Sequence, residues 1–195
     1  MISFEPEFSE YLATEEDATV IHSFEIGVIS GLLATTEYVA AVEQTAVTCG
    51  MRSIDDAARR VARVAARQAA LFEGQRPPQV FVALDESCLL QQVAEPAVME
   101  QQLERLVEIA SLPTVWLQIA PFSMGELRPF DRPISLLTMP DRSLVSYSES
   151  LLGGDLEQGN ARVLSFLRSY HHLQAASLSP RDSISMINRV RKQAS

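Results

Sequence analysis

Two apolar runs, VFVALDE (80–86) and TVWLQIA (114–120), constrain the fold of this chain more than any other feature. Between them Pro96 opens a helix with Val98, Met99, Leu103, Leu106, Val107 and Ala110 at three- and four-residue spacing, and Leu112-Pro113 ends it. Strand, helix and strand with short joints predict a βαβ unit, most simply a right-handed parallel crossover. Further on, ISLLTMP (134–140) and LVSYSES (144–150) flank a turn at Pro140-Asp141-Arg142-Ser143, which reads as a β-hairpin. Together they predict an α/β fold: a mixed sheet with helices packed on it and a helical C-terminal end.

The remaining segments fit around that sheet. ATVIHSFEIGVI is read as extended chain, with Val20, His22 and Phe24 on alternate positions. Gly31 then turns the chain into a helix capped by Thr35 or Thr36, with Glu37 in the first turn. Ile54 to Phe72 is a second helix. Its apolar stripe is Ile54, Ala58, Val61, Ala65 and Leu71, and Arg59, Arg60, Arg63 and Arg67 line much of the other side as a solvated, locally paired face. Gln75-Arg76-Pro77-Pro78 breaks the chain, and Gly153-Gly154 breaks it again before a helix from about Glu157 to Ala176. A last helix begins at Ser179-Pro180, and its stripe of Ile184, Ile187 and Val190 must be buried on the domain itself or on a second subunit. The expected layout is one domain over 1–195: a lead-in (1–17), an α/β core (18–176) and the C-terminal helix (177–195). A homodimer through that helix is the expectation set against simple internal packing.

Charge and composition exclude several functions. The 195 residues carry a formal charge of −9, which argues against sequence-independent binding of phosphate backbones. Partners are therefore expected to be small molecules or proteins, with no direct nucleic-acid binding by this chain. No basic n-region followed by an apolar core is visible, and no apolar run is long enough to span a bilayer, so a cytoplasmic protein without a membrane partner is expected. Cys49 and Cys88 lie far apart among apolar neighbours and are read as small buried thiols.

No cofactor or metal is expected. His171 and His172 are adjacent and diverge by about 100° on a helix, and no Cys/His spacing completes a site with them or with His22. Ser30-Gly31 is not a nucleophile elbow, because Val28 stands where that motif needs glycine. Cys88 has no base marked nearby, and neither GxGxxG nor GxxxxGK occurs. The acids are better candidates. Asp85 and Glu86 end one strand, while Tyr147 and Glu149 lie two apart on another and project to one face. If those strand ends share a sheet edge, the acids line a pocket suited to acid/base work or to binding cationic or hydroxyl-bearing ligands. The alternative is separate solvation or hydrogen bonding to loop amides. Gln118, on the second strand of the βαβ unit, is the fifth candidate.

Several stretches, taken in order, resemble a known family. FEIGVISGLLATTEYVAAV is similar to an "FEP-x-x-VPGLLQT-x-x-YA-x-A" block, and the similarity continues through Arg63-x-x-x-Arg67-Gln68-x-x-Leu71, FVALDESCLLQ, EQQLERLVEIA, VWLQIAPFSMG, ISLLTMPD, SYSE and AASLSPRDSISMI. These blocks resemble uncharacterised regulatory domains that follow an Xre-type helix-turn-helix in actinobacterial transcription regulators. The chain departs from the pattern at Ile26 and Ser30, where proline is usual, at Ala34, where glutamine is usual, and at Leu90-Gln91, where arginine commonly follows. About twenty residues precede the first block, too few for a DNA-reading domain, so an excised domain or a stand-alone relative is expected. The resemblance implies an effector-sensing or protein-interaction domain with a small-molecule or small-protein effector. An enzyme of transferase or hydrolase type using a carboxylate-lined pocket is the alternative.

Overall fold

A computed structural model describes residues 5–74, 76–150 and 153–194. Six strands form one sheet in the order β3-β2-β1-β4-β5-β6. They are β1 (Val20–Glu25), β2 (Gln79–Asp85), β3 (Val115–Ala120), β4 (Ile134–Thr138), β5 (Leu144–Ser150) and β6 (Gly153–Gln158). The first three pair in parallel, with Ser23 opposite Val82 and Val82 opposite Leu117. The other three are antiparallel, Ser23 facing Ser135 and Ser135 facing Tyr147. The predicted βαβ unit is β2, α5 (Pro96–Ile109) and β3, and the predicted hairpin is β4 and β5.

Helices cover both faces because both faces are apolar. On one face Ile21, Val82, Leu84, Leu117 and Leu137 join Tyr11 of α1 (Glu5–Glu16), Tyr38 of α2 (Thr36–Thr48) and Leu71 of α3 (Ile54–Phe72). Leu103 of α5 and Ile187 of α7 (Pro180–Ala194) complete that core. The other face packs Phe24, Ala83 and Leu136 against Val163, Tyr170 and Leu173 of α6 (Asn160–Ala176). A short helix, α4 (Ser87–Leu90), follows β2.

The capping signals are borne out. Thr35 Oγ1 accepts from Tyr38 N at 3.1 Å, and Ser179 Oγ accepts from Asp182 N at 3.1 Å. Of the α7 stripe, Ile187 is fully buried and Val190 packs on the same core, where the helix meets α5 and β3, while Ile184 is half-buried.

Five local expectations are corrected, the first being the stripe of α3, whose buried residues are Ala57, Val64 and Leu71 while Ile54, Ala58 and Ala65 are exposed. The lead-in contains a helix, α1, whose Phe8, Tyr11 and Leu12 face the core. Gly153-Gly154 opens a strand, not a helix, and Glu157 lies on that strand. Gly154 is needed there because an added Cβ would stand 2.7 Å from the Tyr147 ring. The left-handed backbone of the opening bend is at Gly27, with φ of 73°, and Gly31 has no positive φ. Cys49 is exposed, at the C-cap of α2, while Cys88 is buried as expected.

Candidate functional site

Helix α3 presents Arg60, Arg63 and Arg67 toward α1, at spacings that place all three along one side. Two of them are not solvated. Arg60 and Arg67 are each only 14% exposed in their side chains. Arg67 Nε meets Glu15 Oε2 at 2.7 Å and its Nη2 meets Oε1 at 2.8 Å, a two-pronged contact. The Tyr11 hydroxyl donates to the same Glu15 carboxylate, and the Tyr11 ring stacks on Tyr147 with centroids 4.4 Å apart. Burial, followed by the nearby Glu15 charge, pushes the Tyr11 phenol well above its ordinary value, so it remains a donor.

Two turns earlier, Arg60 Nη2 reaches Glu149 Oε1 at 3.1 Å and its guanidinium lies over the Phe8 ring at 4.6 Å. Glu43 of α2 receives Arg52 at 2.6 Å and stands 3.9 Å from Arg60. Burial raises the Glu43 carboxyl, and the two guanidinium groups oppose that shift. Arg63 lies between these pairs. It is exposed and has no ion pair or hydrogen bond among the described residues.

These side chains border two hollows. One, of about 80 Å³, is walled by Phe8, Leu12, Val39 and Val64, with Glu43, Arg60, Arg63 and Arg67 at its margins. The other, of about 350 Å³, lies between α1 and the later turns of α3, among Leu12, Ala13, Glu16, Arg63, Ala66 and Leu71. That volume is at the small end of the range for ligand pockets.

Beneath Arg67, at the end of β1, is a carboxyl the candidate list lacks. Glu25 is 6% exposed and accepts from Ser23 Oγ. Burial lifts its pKa from 4.5 to about 7, against the opposing influence of Ser23, Ser30 and Arg67. Neither Glu25 nor the Arg67–Glu15 pair follows from a catalytic motif. The signal lay in the resemblance, since FEIGV and Arg63-x-x-x-Arg67-Gln68 were two of its blocks. Contacts join these blocks in the fold. Gln68 Nε2 donates to Gly31 O at 2.9 Å and to Ala34 O at 2.7 Å, while Gln102 Oε1 accepts from Thr35 N at 2.7 Å.

The five candidates from sequence divide into separate groups. Tyr147 and Glu149 do share a face, the one packed by α1 and α3, and Glu149 pairs with Arg60. Asp85 continues the alternation of Phe81 and Ala83 on the opposite, α6 face. It is 1% exposed, meets Arg128 Nη2 at 2.7 Å and accepts from the Ser87 N–H at 2.9 Å. Glu86 accepts from the Phe122 N–H at 2.6 Å. Gln118 Nε2 donates to Leu178 O at 2.8 Å, tying β3 to the joint between α6 and α7. Asp85, Glu86 and Gln118 thus hold loops and helices, and only the Tyr147–Glu149 pair reaches the arginine-lined side.

Such an arrangement defines a mixed α/β domain with a small cleft between its first and third helices, bordered by neutralised charge pairs and apolar walls. The chain belongs to the family described as a domain of unknown function (DUF5753), which it matches over residues 8–189. No curated protein and no solved structure matches it. Among the described residues no helix is long and apolar enough to cross a membrane, and no group of three or more potential metal ligands occurs.

Proposed function

We propose that this chain is an effector-sensing domain related to those of Xre-type transcription regulators, binding a small-molecule or small-protein effector rather than DNA. The cleft between α1 and α3 carries the reading. Of its four charged residues Arg67 and Glu15 are paired and, among the described residues, Arg63 and Glu16 are not, while Leu12, Ala13 and Ala66 offer apolar surface. That is a composition for holding a ligand. The helix that roofs the cleft is the first element of the fold, so occupancy of the cleft bears directly on where α1 sits. A formal charge of −9 supports the exclusion of duplex DNA as a partner.

A thermal-shift screen of a metabolite library against the wild-type chain and Ala66→Trp tests this. Ala66 is exposed and lines the cleft, so the indole fills the ligand's space without disturbing the core. A ligand at a hundred times its Kd stabilises by about 2.7 kcal/mol. Stabilising compounds that lose their effect in Ala66→Trp support the reading. Stabilisation unaffected by Ala66→Trp, or a duplex operator bound specifically by the chain at physiological salt, overturns it.

A further inference from the structure

The larger cleft holds two opposite charges that do not meet. Arg63 and Glu16 both line it, and neither makes an ion pair or hydrogen bond among the described residues, with each other or with any third group. Other charges around them are engaged: Arg67 with Glu15, Arg60 with Glu149, and Arg59 with Asp56. Glu16 is also badly placed for its own helix. It lies in the last turn of α1, where the helix dipole is negative, next to Glu15 and with no basic residue in that turn. A cation brought to Glu16 would offset both charges. Arg63, two-pronged and always charged, suits a carboxylate. Leu12, Ala13 and Ala66 add an aliphatic lining to the same space of about 350 Å³.

From this juxtaposition we infer that the effector is a small zwitterion of amino-acid type. Its carboxylate is held by Arg63, its ammonium by Glu16, and its aliphatic side chain lies on Leu12 and Ala66. The assignment rests on the proposed role of this cleft and names the ligand's charge pattern. A singly charged ligand would leave one of the two side chains uncompensated, and specificity arises from that mismatch.

Three probes of one shape separate the charge patterns: leucine, the anionic N-acetyl-leucine and the cationic leucinamide. Each is titrated at millimolar concentration into the isotope-labelled chain, with backbone amide shifts as readout. The expected result is shifts clustered at the end of α1 and the middle of α3, with leucine bound about tenfold or more tighter than either relative. Arg63→Gln should remove the advantage of leucine over leucinamide, and Glu16→Gln its advantage over N-acetyl-leucine. Both positions are exposed, so both variants should fold. N-acetyl-leucine binding as well as leucine, with Glu16→Gln silent, overturns the zwitterion assignment and leaves the cleft standing as a ligand site. No cleft shifts from any of the three also overturns it, and the library screen with Ala66→Trp then decides separately whether the cleft takes another class of ligand.

Discussion

Arg67 on α3 and Glu15 on α1 face each other through two contacts of 2.7 and 2.8 Å, with the carboxylate 1% exposed. Removing one member of such a pair strands the other charge away from water, at a cost of about 3–5 kcal/mol. Arg67→Met and Glu15→Leu should each destabilise by that order in urea denaturation. The double variant should be more stable than the worse of the two singles, since it leaves neither charge stranded. Single variants within about 0.5 kcal/mol of wild type would mean that water reaches the pair.

Two glycines should respond in opposite ways to alanine. At Gly154 the added Cβ would stand 2.7 Å from Tyr147 Cε2, and the ring is held by its stacking on Tyr11. Gly154→Ala should cost about 1–3 kcal/mol. At Gly31 the nearest atoms to a Cβ are at 3.7 Å, an ordinary contact, and φ is not positive. Gly31→Ala should be neutral or stabilise by up to about 1 kcal/mol through the unfolded chain. Midpoints of chemical denaturation for the two variants check both.

Gln102 is fully buried and bridges two backbone groups, accepting from Thr35 N at 2.7 Å and donating to Leu33 O at 3.2 Å. Gln102→Leu should strand both, at about 1–3 kcal/mol each. Faster hydrogen exchange at Thr35 and the first turn of α2, with the far side of the sheet unchanged, would locate the loss.

The pH dependence of stability should carry two buried groups that work against each other. Burial raises Glu25 from 4.5 to about 7, so its contribution is complete below about pH 4.5 and is lost as pH rises through 7. Burial, aided by the nearby His171, lowers His22 from 6.5 to about 4, so its contribution is complete above about pH 6.5 and is lost as pH falls through 4. Each is worth on the order of 1–3 kcal/mol, and between about pH 4.5 and 6.5 they offset. Glu25→Gln should therefore gain stability over wild type near pH 8 and expose a steeper acid decline. His22→Phe, which keeps an aromatic ring against Phe81 and Tyr170, should lose that decline. Denaturation midpoints at a series of pH values decide.

Much of the fold was legible because local signals and packing agree. Pro96 starts α5, Thr35 caps α2, and the range Ile54 to Phe72 coincides with α3. The failures have physical reasons. Helix α1 has only Phe8, Tyr11 and Leu12 to mark its buried side amid acids, and β6 has Leu156 as its one large apolar residue after two glycines. Periodicity has little to work with in either. The arginines of α3 misled because a charged helix face reads as solvated until its counter-charges are known, and Glu15, Glu43 and Glu149 lie far away in the chain. Alternation placed Tyr147 and Glu149 together correctly. It could not show that Asp85 points to the other face, because that depends on strand register across the sheet.

The position of β1 in the middle of the sheet has a consequence in time. Val20 pairs with Gln79 on one side and with Thr138 on the other, so neither neighbour is local. During synthesis this apolar strand waits bare on both edges, gaining one neighbour only after α2 and α3 have been made and the second after the whole β2–α5–β3 unit. Non-local pairing of that kind slows folding and prolongs the exposure of sticky edges. The chain should therefore acquire its two-sided sheet late and nearly all at once, and fragments ending before β4 should collect as association-prone intermediates.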